Sequence, residues 1–327
     1  LIDYCNIKAA DQDDAMEQLL LRYDIDFRRV GVLLEPEAPL SDYRHMNDGW
    51  YVDCWGIKRR WTGVYWDIVE SPLKNATLEE IQKFPWPDIS KIDLCSLDKH
   101  AEKARRLFED TDYVVVAEHP VYGYFEIGCW MFGFDDFLYR LLGEPETAEW
   151  FFERYHRYVT DACELYYSKL GQYIHVTTSG DDFGMQSGPF MSPELFRESI
   201  APWYKKRITL TKSLCNIHYF HHSCGSVFRL VNDMLNIGID ILNPIQPGAF
   251  EMEPERLKDA FGGRVVFWGG IDEQNLLSNG TKEQVRDEVR RIADVLGKNG
   301  GYVMAASHNI QPDVPPENVD AMFRAFL

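Results

Sequence analysis

From Asp112 onward, short apolar runs alternate with longer amphipathic stretches. Tyr113–Ala117 (YVVVA), Tyr173–Thr177 (YIHVT), Ile217–His221 (IHYFH), Ile239–Leu242 (IDIL), Val265–Trp268 (VVFW) and Tyr302–Ala305 (YVMA) are rich in β-branched or aromatic residues and lack strict alternation. This is the pattern of parallel strands covered on both faces. The intervening stretches have helical spacing. Thr281 and Gln284 form a capping box, Val285, Val289, Ile292 and Leu296 make one apolar stripe, and Gly297 stops it. A second helix is predicted from Pro145 to about Leu170, since proline is favoured in the first turn. A third is predicted to begin at Ser192-Pro193.

Repeated strand–helix units imply a parallel sheet. Arg28–Leu34 (RRVGVLL) adds a seventh strand, whereas a closed barrel needs eight. The rival doubly wound sheet carries a glycine-rich phosphate turn after its first strand, and none is present. The fold class expected is therefore α/β, a (β/α)8 TIM barrel. Residues 1–327 are expected to form one domain, with residues 1–110 an irregular elaboration over the barrel. Within that elaboration Tyr51 to Trp66 reads as a hairpin, and Thr77 to Asp88 as a short capped helix ended by Pro85 and Pro87.

Composition narrows the class. The chain has 327 residues, 45% hydrophobic and 14% aromatic, enough for a large core and against disorder. Its formal charge is −18, which excludes nucleic-acid binding and polybasic membrane binding, since both need cationic surface. No apolar run approaches a membrane span, no signal peptide is visible, and the sequence starts at Leu1. Seven cysteines, an odd number without a CxxC pair, point away from a disulfide framework and toward a cytoplasmic location.

In a barrel the chemistry lies at the carboxyl ends of the strands. Those positions hold Glu118, His119 and Tyr122; Asp181 and Asp182; His222 and Cys224; Gln246; Asp272; and His308. In an extended backbone positions i and i+2 face one side, so His222 and Cys224 converge on a point suited to zinc. The alternative is a hydrogen-bonded core histidine beside a buried thiol. Asp181-Asp182 fits a general acid/base pair or a turn cap, and Glu118-His119 is equally two-sided. Trp55, Trp61, Trp66, Tyr122, Trp130 and Phe132 either line a flat apolar pocket or belong to the core.

An ordered series of landmarks resembles the uroporphyrinogen decarboxylase superfamily. They are Trp55-Gly56, Pro85-Trp86-Pro87-Asp88, Gly180-Asp181-Asp182-Phe183-Gly184, Ser192-Pro193-Glu194-Leu195-Phe196, Asn243-Pro244-Ile245-Gln246, Gly269-Gly270-Ile271-Asp272 and Val314-Pro315-Pro316-Glu317-Asn318. His222-Ser223-Cys224-Gly225 resembles the HxCG motif of its zinc-dependent corrinoid methyltransferase branch. Two features depart from the pattern. The arginine-rich amino-terminal segment of true decarboxylases has no counterpart. His308 stands where thiol-methylating members carry a cysteine, which resembles the methyl-ether demethylating members.

The resemblance implies zinc held by His222, Cys224 and His308. It implies a corrinoid (cobalamin) carried by a partner protein, since the DxHxxG signature is absent here. The expected reaction moves a methyl group between a small methylated substrate, a methoxylated aromatic foremost, and the partner's cobalt. Asp181 or Glu118 would complete the zinc shell or protonate the leaving oxygen. Asp182, His119, Tyr122, Trp130 and Gln246 would bind substrate. A metal-free decarboxylase and a methylcobamide:thiol methyltransferase are the alternatives, and the sequence leaves oligomerisation open.

Overall fold

The computed structural model describes residues Leu1–Phe326. Among them, seven strands lie in one sheet: β1 (Phe27–Val30), β2 (Val114–Glu118), β3 (Val176–Gly180), β4 (His218–His222), β5 (Ile241–Ile245), β6 (Val266–Ile271) and β7 (Tyr302–Ala306). They follow one another in chain order across the sheet. The β2–β3, β4–β5, β5–β6 and β6–β7 pairs are parallel. Parallel strands in sequential order with helical crossovers are the topology of the TIM-barrel class. Each of the seven apolar runs overlaps a strand, and no eighth strand of this sheet lies among the described residues.

The strand ends shift for local reasons. β1 stops at Val30 rather than Leu34 because Gly31 turns the chain at φ +93°, where a Cβ would lie 1.9 Å from the Tyr166 hydroxyl. β3 starts at Val176, after a 3₁₀ turn over Gly171–Tyr173. β5 runs on through Asn243-Pro244, joined by a cis peptide bond, to Ile245.

Helix signals read as expected. Pro145 opens the helix Pro145–Leu170. Thr281 caps Lys282–Leu296 with the reciprocal Gln284 bond, and Val285, Val289, Ile292 and Leu296 are all fully buried. Ser192 caps Pro193–Leu195, which passes through a π-turn at Phe196–Ile200 before continuing as Ala201–Leu214. Pro202 has no N–H to give to the preceding turn, which accounts for the widened ring there.

In the first 110 residues the short helix expected after Thr77 is Leu78–Lys83, and the helices Gln12–Arg22 and Leu94–Asp110 add regular structure that was not expected. The expected hairpin is a three-stranded antiparallel sheet of Trp50–Val52, Lys58–Trp61 and Trp66–Glu70, because pairing continues past Trp66. Asp53 closes its first turn by accepting the N–H groups of Trp55 and Ile57.

The chain divides into two compact units. The first comprises Leu1–Arg28, Phe183–Phe190 and the residues from Phe220 onward. Leu230, Met234, Ile245, Phe267, Ile271 and Ile292 lie in its mainly aliphatic interior. The second comprises Arg29–Asp182 and Met191–Tyr219. Its interior is aromatic, with Phe132, Phe137, Phe151, Phe152 and Tyr155 in mutual ring contact. Trp55 and Phe132 belong to this buried interior, whereas Trp61 is exposed. No helix among the described residues is long and apolar enough to cross a membrane.

Candidate metal centre

The first unit carries the metal-ligand candidates. β4 delivers His222 at its carboxyl end, and the chain then turns tightly to Gly225. Main-chain contacts fix this turn. The Ser223 N–H donates to the Asn243 carbonyl at 2.7 Å, and the Ser226 N–H to the Met185 carbonyl at 2.8 Å. Ser223 Oγ accepts the Phe183 N–H at 2.9 Å, and the Gly225 N–H donates to Gln246 Oε1 at 2.9 Å. A Cβ on Gly225 (φ +77°) would lie 2.7 Å from the Gly184 backbone, and one on Gly184 would lie 2.7 Å from the Cys224 carbonyl oxygen. Two backbones meet here with no side chain between them, which explains both glycines.

His222 Nε2 lies 3.2 Å from Cys224 Sγ. His308, beyond β7, brings its ring to a centroid distance of 5.7 Å from that of His222. One ligand atom from each of His222, Cys224 and His308 falls within 4.8 Å of the others. With zinc–nitrogen bonds of about 2.0 Å and zinc–sulfur bonds of about 2.3 Å, tetrahedral ligand atoms stand roughly 3.3–3.8 Å apart. A cluster of this span closes onto zinc with small side-chain adjustments.

The donor set fits zinc in kind as well as in spacing. Asn243 Oδ1 lies 2.6 Å from His222 Nδ1, and the Asn243 amide donates to the Trp268 carbonyl at 3.1 Å. That second bond orients the amide, so Oδ1 accepts the Nδ1 proton and Nε2 is left as the ligand atom. Glu273, just after β6, is buried, and burial raises its pKa. Gln246 is tied to the turn after β4: its Oε1 accepts the Gly225 N–H, and its amide donates to Gln186 at 3.2 Å.

The remaining candidates lie in the second unit. Asp181 is fully buried and accepts the N–H groups of Phe125 and Glu126, each at 2.7 Å, and the Tyr204 hydroxyl at 2.8 Å. It therefore caps the first turn of the helix Tyr124–Phe132 from outside that helix. Its pKa is raised by burial, against the pull of those three bonds. His119 is buried, and its Nε2 accepts a bond from Arg207 Nε at 3.0 Å. Arg207 has no exposed surface and also donates to the carbonyls of Tyr122 and Val121. This makes His119 part of an internal strut. Glu118 is half-exposed, 3.9 Å from Arg29, and Asp182 is partly buried.

Tyr122 and Trp130 stand edge to face at 4.9 Å, with the Arg59 guanidinium 4.7 Å from the Trp130 ring centre. The Tyr122 hydroxyl donates to Glu35 at 2.7 Å, and Arg59 Nε donates to Asp53 at 3.0 Å. Sequence reasoning missed Glu35, Asp53, Arg59 and Glu126, which lie outside the strand ends. Glu126 carries the larger perturbation, since burial and the neighbouring Asp181 and Asp182 charges raise its pKa well above the usual carboxylate range. The signal available for it was its place in the first turn of the helix that follows β2.

Residues 72–326 match the model of the uroporphyrinogen decarboxylase (URO-D) family. The uroporphyrinogen decarboxylase of Legionella pneumophila (strain Lens) is 41% identical over 64 residues, which are 20% of this chain and 18% of that protein. That of Danio rerio is 35% identical over 74 residues, 23% of this chain and 19% of that protein. The chain thus spans about a fifth of the length of the curated relatives it matches. Among solved structures, a methyltransferase from Methanosarcina mazei superposes with a TM-score of 0.62 at 18% identity, covering 95% of this chain and 83% of that one. With the family match extending over most of its length, the chain belongs to the uroporphyrinogen decarboxylase (URO-D) family.

Proposed function

We propose that the protein is a zinc-dependent methyltransferase. It would move a methyl group from a small methylated substrate, a methoxylated aromatic in the first instance, to the cobalt of a separate corrinoid protein. The observation that carries this reading is the convergence of His222, Cys224 and His308 within 4.8 Å. The fold likeness to the Methanosarcina mazei methyltransferase supports it.

Zinc bound there would act as a Lewis acid toward the oxygen from which the methyl group departs. Cys224 would bind as thiolate and the two histidines as neutral imidazoles, leaving one formal positive charge on the site. Asn243 holds His222 in the tautomer that this requires. Three protein ligands leave a fourth position for substrate. In the second unit, Trp130 and Tyr122 offer a partly exposed aromatic face, with Glu35 fixing the tyrosine hydroxyl. That face suits a flat ring.

The test is metal analysis of the purified protein beside H222A, C224S and H308A, followed by demethylation of methoxylated aromatics with a corrinoid partner. About one zinc per chain, lost in each variant, is the result expected. No zinc in carefully handled wild-type protein would overturn the reading. The second reading, a metal-free decarboxylase, is favoured by the names of the curated relatives, and porphyrin turnover by metal-free protein would establish it.

A further inference from the structure

We propose that Arg59 is the carboxylate-recognising residue beside the aromatic face of Trp130 and Tyr122, so that the ring taken there is a methoxylated benzoate rather than a neutral methoxyarene. The inference deepens the reading above and rests on it only for the methoxy group. All the residues involved lie in the second unit.

Arg59 lies on Lys58–Trp61, the middle strand of the three-stranded sheet. A guanidinium carries five N–H donors in a planar fork. Among the described residues, that of Arg59 makes one hydrogen bond, from Nε to Asp53 Oδ2 at 3.0 Å. The other oxygen of Asp53 is committed elsewhere, since Oδ1 accepts the N–H groups of Trp55 and Ile57 at 2.9 and 3.0 Å. The ion pair is therefore single rather than forked. Arg59 Nη2 is buried and has no hydrogen-bond partner.

Three other buried arginines are satisfied at all three nitrogens. Arg28 spends them on Glu17 and the carbonyls of Ile25 and Phe27. Arg140 spends them on Asp136, Glu144 and the Ala76 carbonyl. Arg207 spends them on His119 and the carbonyls of Tyr122 and Val121. Arg59 stands apart from these, and a buried cation with unpaired donors is unfavourable until an acceptor meets it.

The surroundings select the acceptor. The Arg59 guanidinium stands 4.7 Å from the Trp130 ring centre, and Tyr122 meets that ring edge to face. The Tyr122 hydroxyl is turned to Glu35. The Arg59 side chain is 12% exposed and both rings are partly exposed, so a ligand reaches the group with small side-chain shifts. A carboxylate attached directly to an aromatic ring offers two oxygens to the fork while its ring lies against the aromatic pair. Asp53 then fixes the guanidinium at one nitrogen and leaves the others for the ligand.

Calorimetric titration with para-methoxybenzoate and with para-methoxybenzamide tests this, because the two probes differ in charge at the same position. The expected result for wild type is roughly 10- to 100-fold tighter binding of the benzoate, persisting after zinc is removed with a chelator. R59K keeps a positive charge for Asp53 but loses the planar fork, and is expected to lose most of that preference. Thermal unfolding of R59K without ligand checks its fold, and the wild-type comparison decides the matter even if R59K unfolds. Equal binding of the two probes by wild type would overturn the inference. So would a full preference in folded R59K, or a preference that vanishes with the zinc, since that places the carboxylate on the metal. Demethylation of neutral methoxyarenes without any benzoate preference would overturn this inference and leave the methyl-transfer reading standing. A benzoate preference in a protein that holds no zinc would support the Arg59 site and overturn that reading.

Discussion

Asn243 holds His222 from two sides: its carbonyl accepts the N–H of Ser223, the next residue, at 2.7 Å, and its Oδ1 stands 2.6 Å from His222 Nδ1. The side-chain bond sets the imidazole tautomer. N243A is expected to lower zinc affinity about 10- to 100-fold while the main-chain contact survives. N243D, which keeps an acceptor at the same place, is expected to retain most of it. Chelator competition on the two variants separates these outcomes, and wild-type affinity in N243A would contradict the role.

Asp181 organises a helix start. Three donors converge on its carboxylate, and all of them lie in the interior of the second unit. D181A strands those donors, at roughly 1–3 kcal/mol for each that stays unpaired. D181N keeps an acceptor and is expected to lose about half as much. Urea unfolding of the two variants measures the difference, and a D181A protein as stable as wild type would show that water replaces the carboxylate.

His156 gives the second unit an acid sensitivity. The Tyr124 hydroxyl lies 2.6 Å from His156 Nδ1, and burial, with Lys206 and Arg207 nearby, pushes the imidazole pKa from 6.5 down to about 4. Between those values the unfolded chain binds the proton that the folded one refuses. This group's contribution therefore lowers stability as pH falls from 6.5 toward 4. The melting temperature of H156N is expected to fall less steeply than that of wild type over this range. Parallel slopes would show that the folded protein protonates His156 freely.

Gly225 leaves no room for a Cβ. An added methyl meets the Gly184 backbone at 2.7 Å, and the backbone angle is itself strained for alanine. G225A is expected to destabilise the fold by about 1–3 kcal/mol. It is also expected to weaken zinc binding, because Cys224 must move with the turn. Denaturant unfolding and metal content read the two effects separately. By contrast, G248A, at a position with open space around it, is expected to change neither.

The strands were legible because apolar, β-branched runs mark buried parallel strands wherever they occur, as Val114–Glu118 and Val266–Ile271 do. Their ends were less legible. The limits of β1 and β5 depend on Gly31 packing against Tyr166 and on the pairing that carries β5 through Pro244, neither of which composition encodes. Local spacing identified His222 and Cys224, which share one turn. His308 entered through the family resemblance, because its proximity depends on sheet order. The role of Asp181 was ambiguous for the same reason: two of its three donors come from a helix more than fifty residues earlier in the chain, and the third, Tyr204, from a later helix. Glu126 and Arg59 escaped notice because their charged surroundings exist only after folding.

His222 ends β4 and Cys224 follows it, Asn243 lies in β5, and His308 follows β7. The candidate ligands are therefore written along the chain in the order in which the strands emerge during synthesis. A nascent chain that has paired β4 with β5 would own an oriented histidine and a thiol, two of the three candidate ligands. The third candidate ligand, His308, arrives with the last strand. Tight metal capture would then act as a proofreading event, retaining the ion only on chains whose carboxyl-terminal strands have docked.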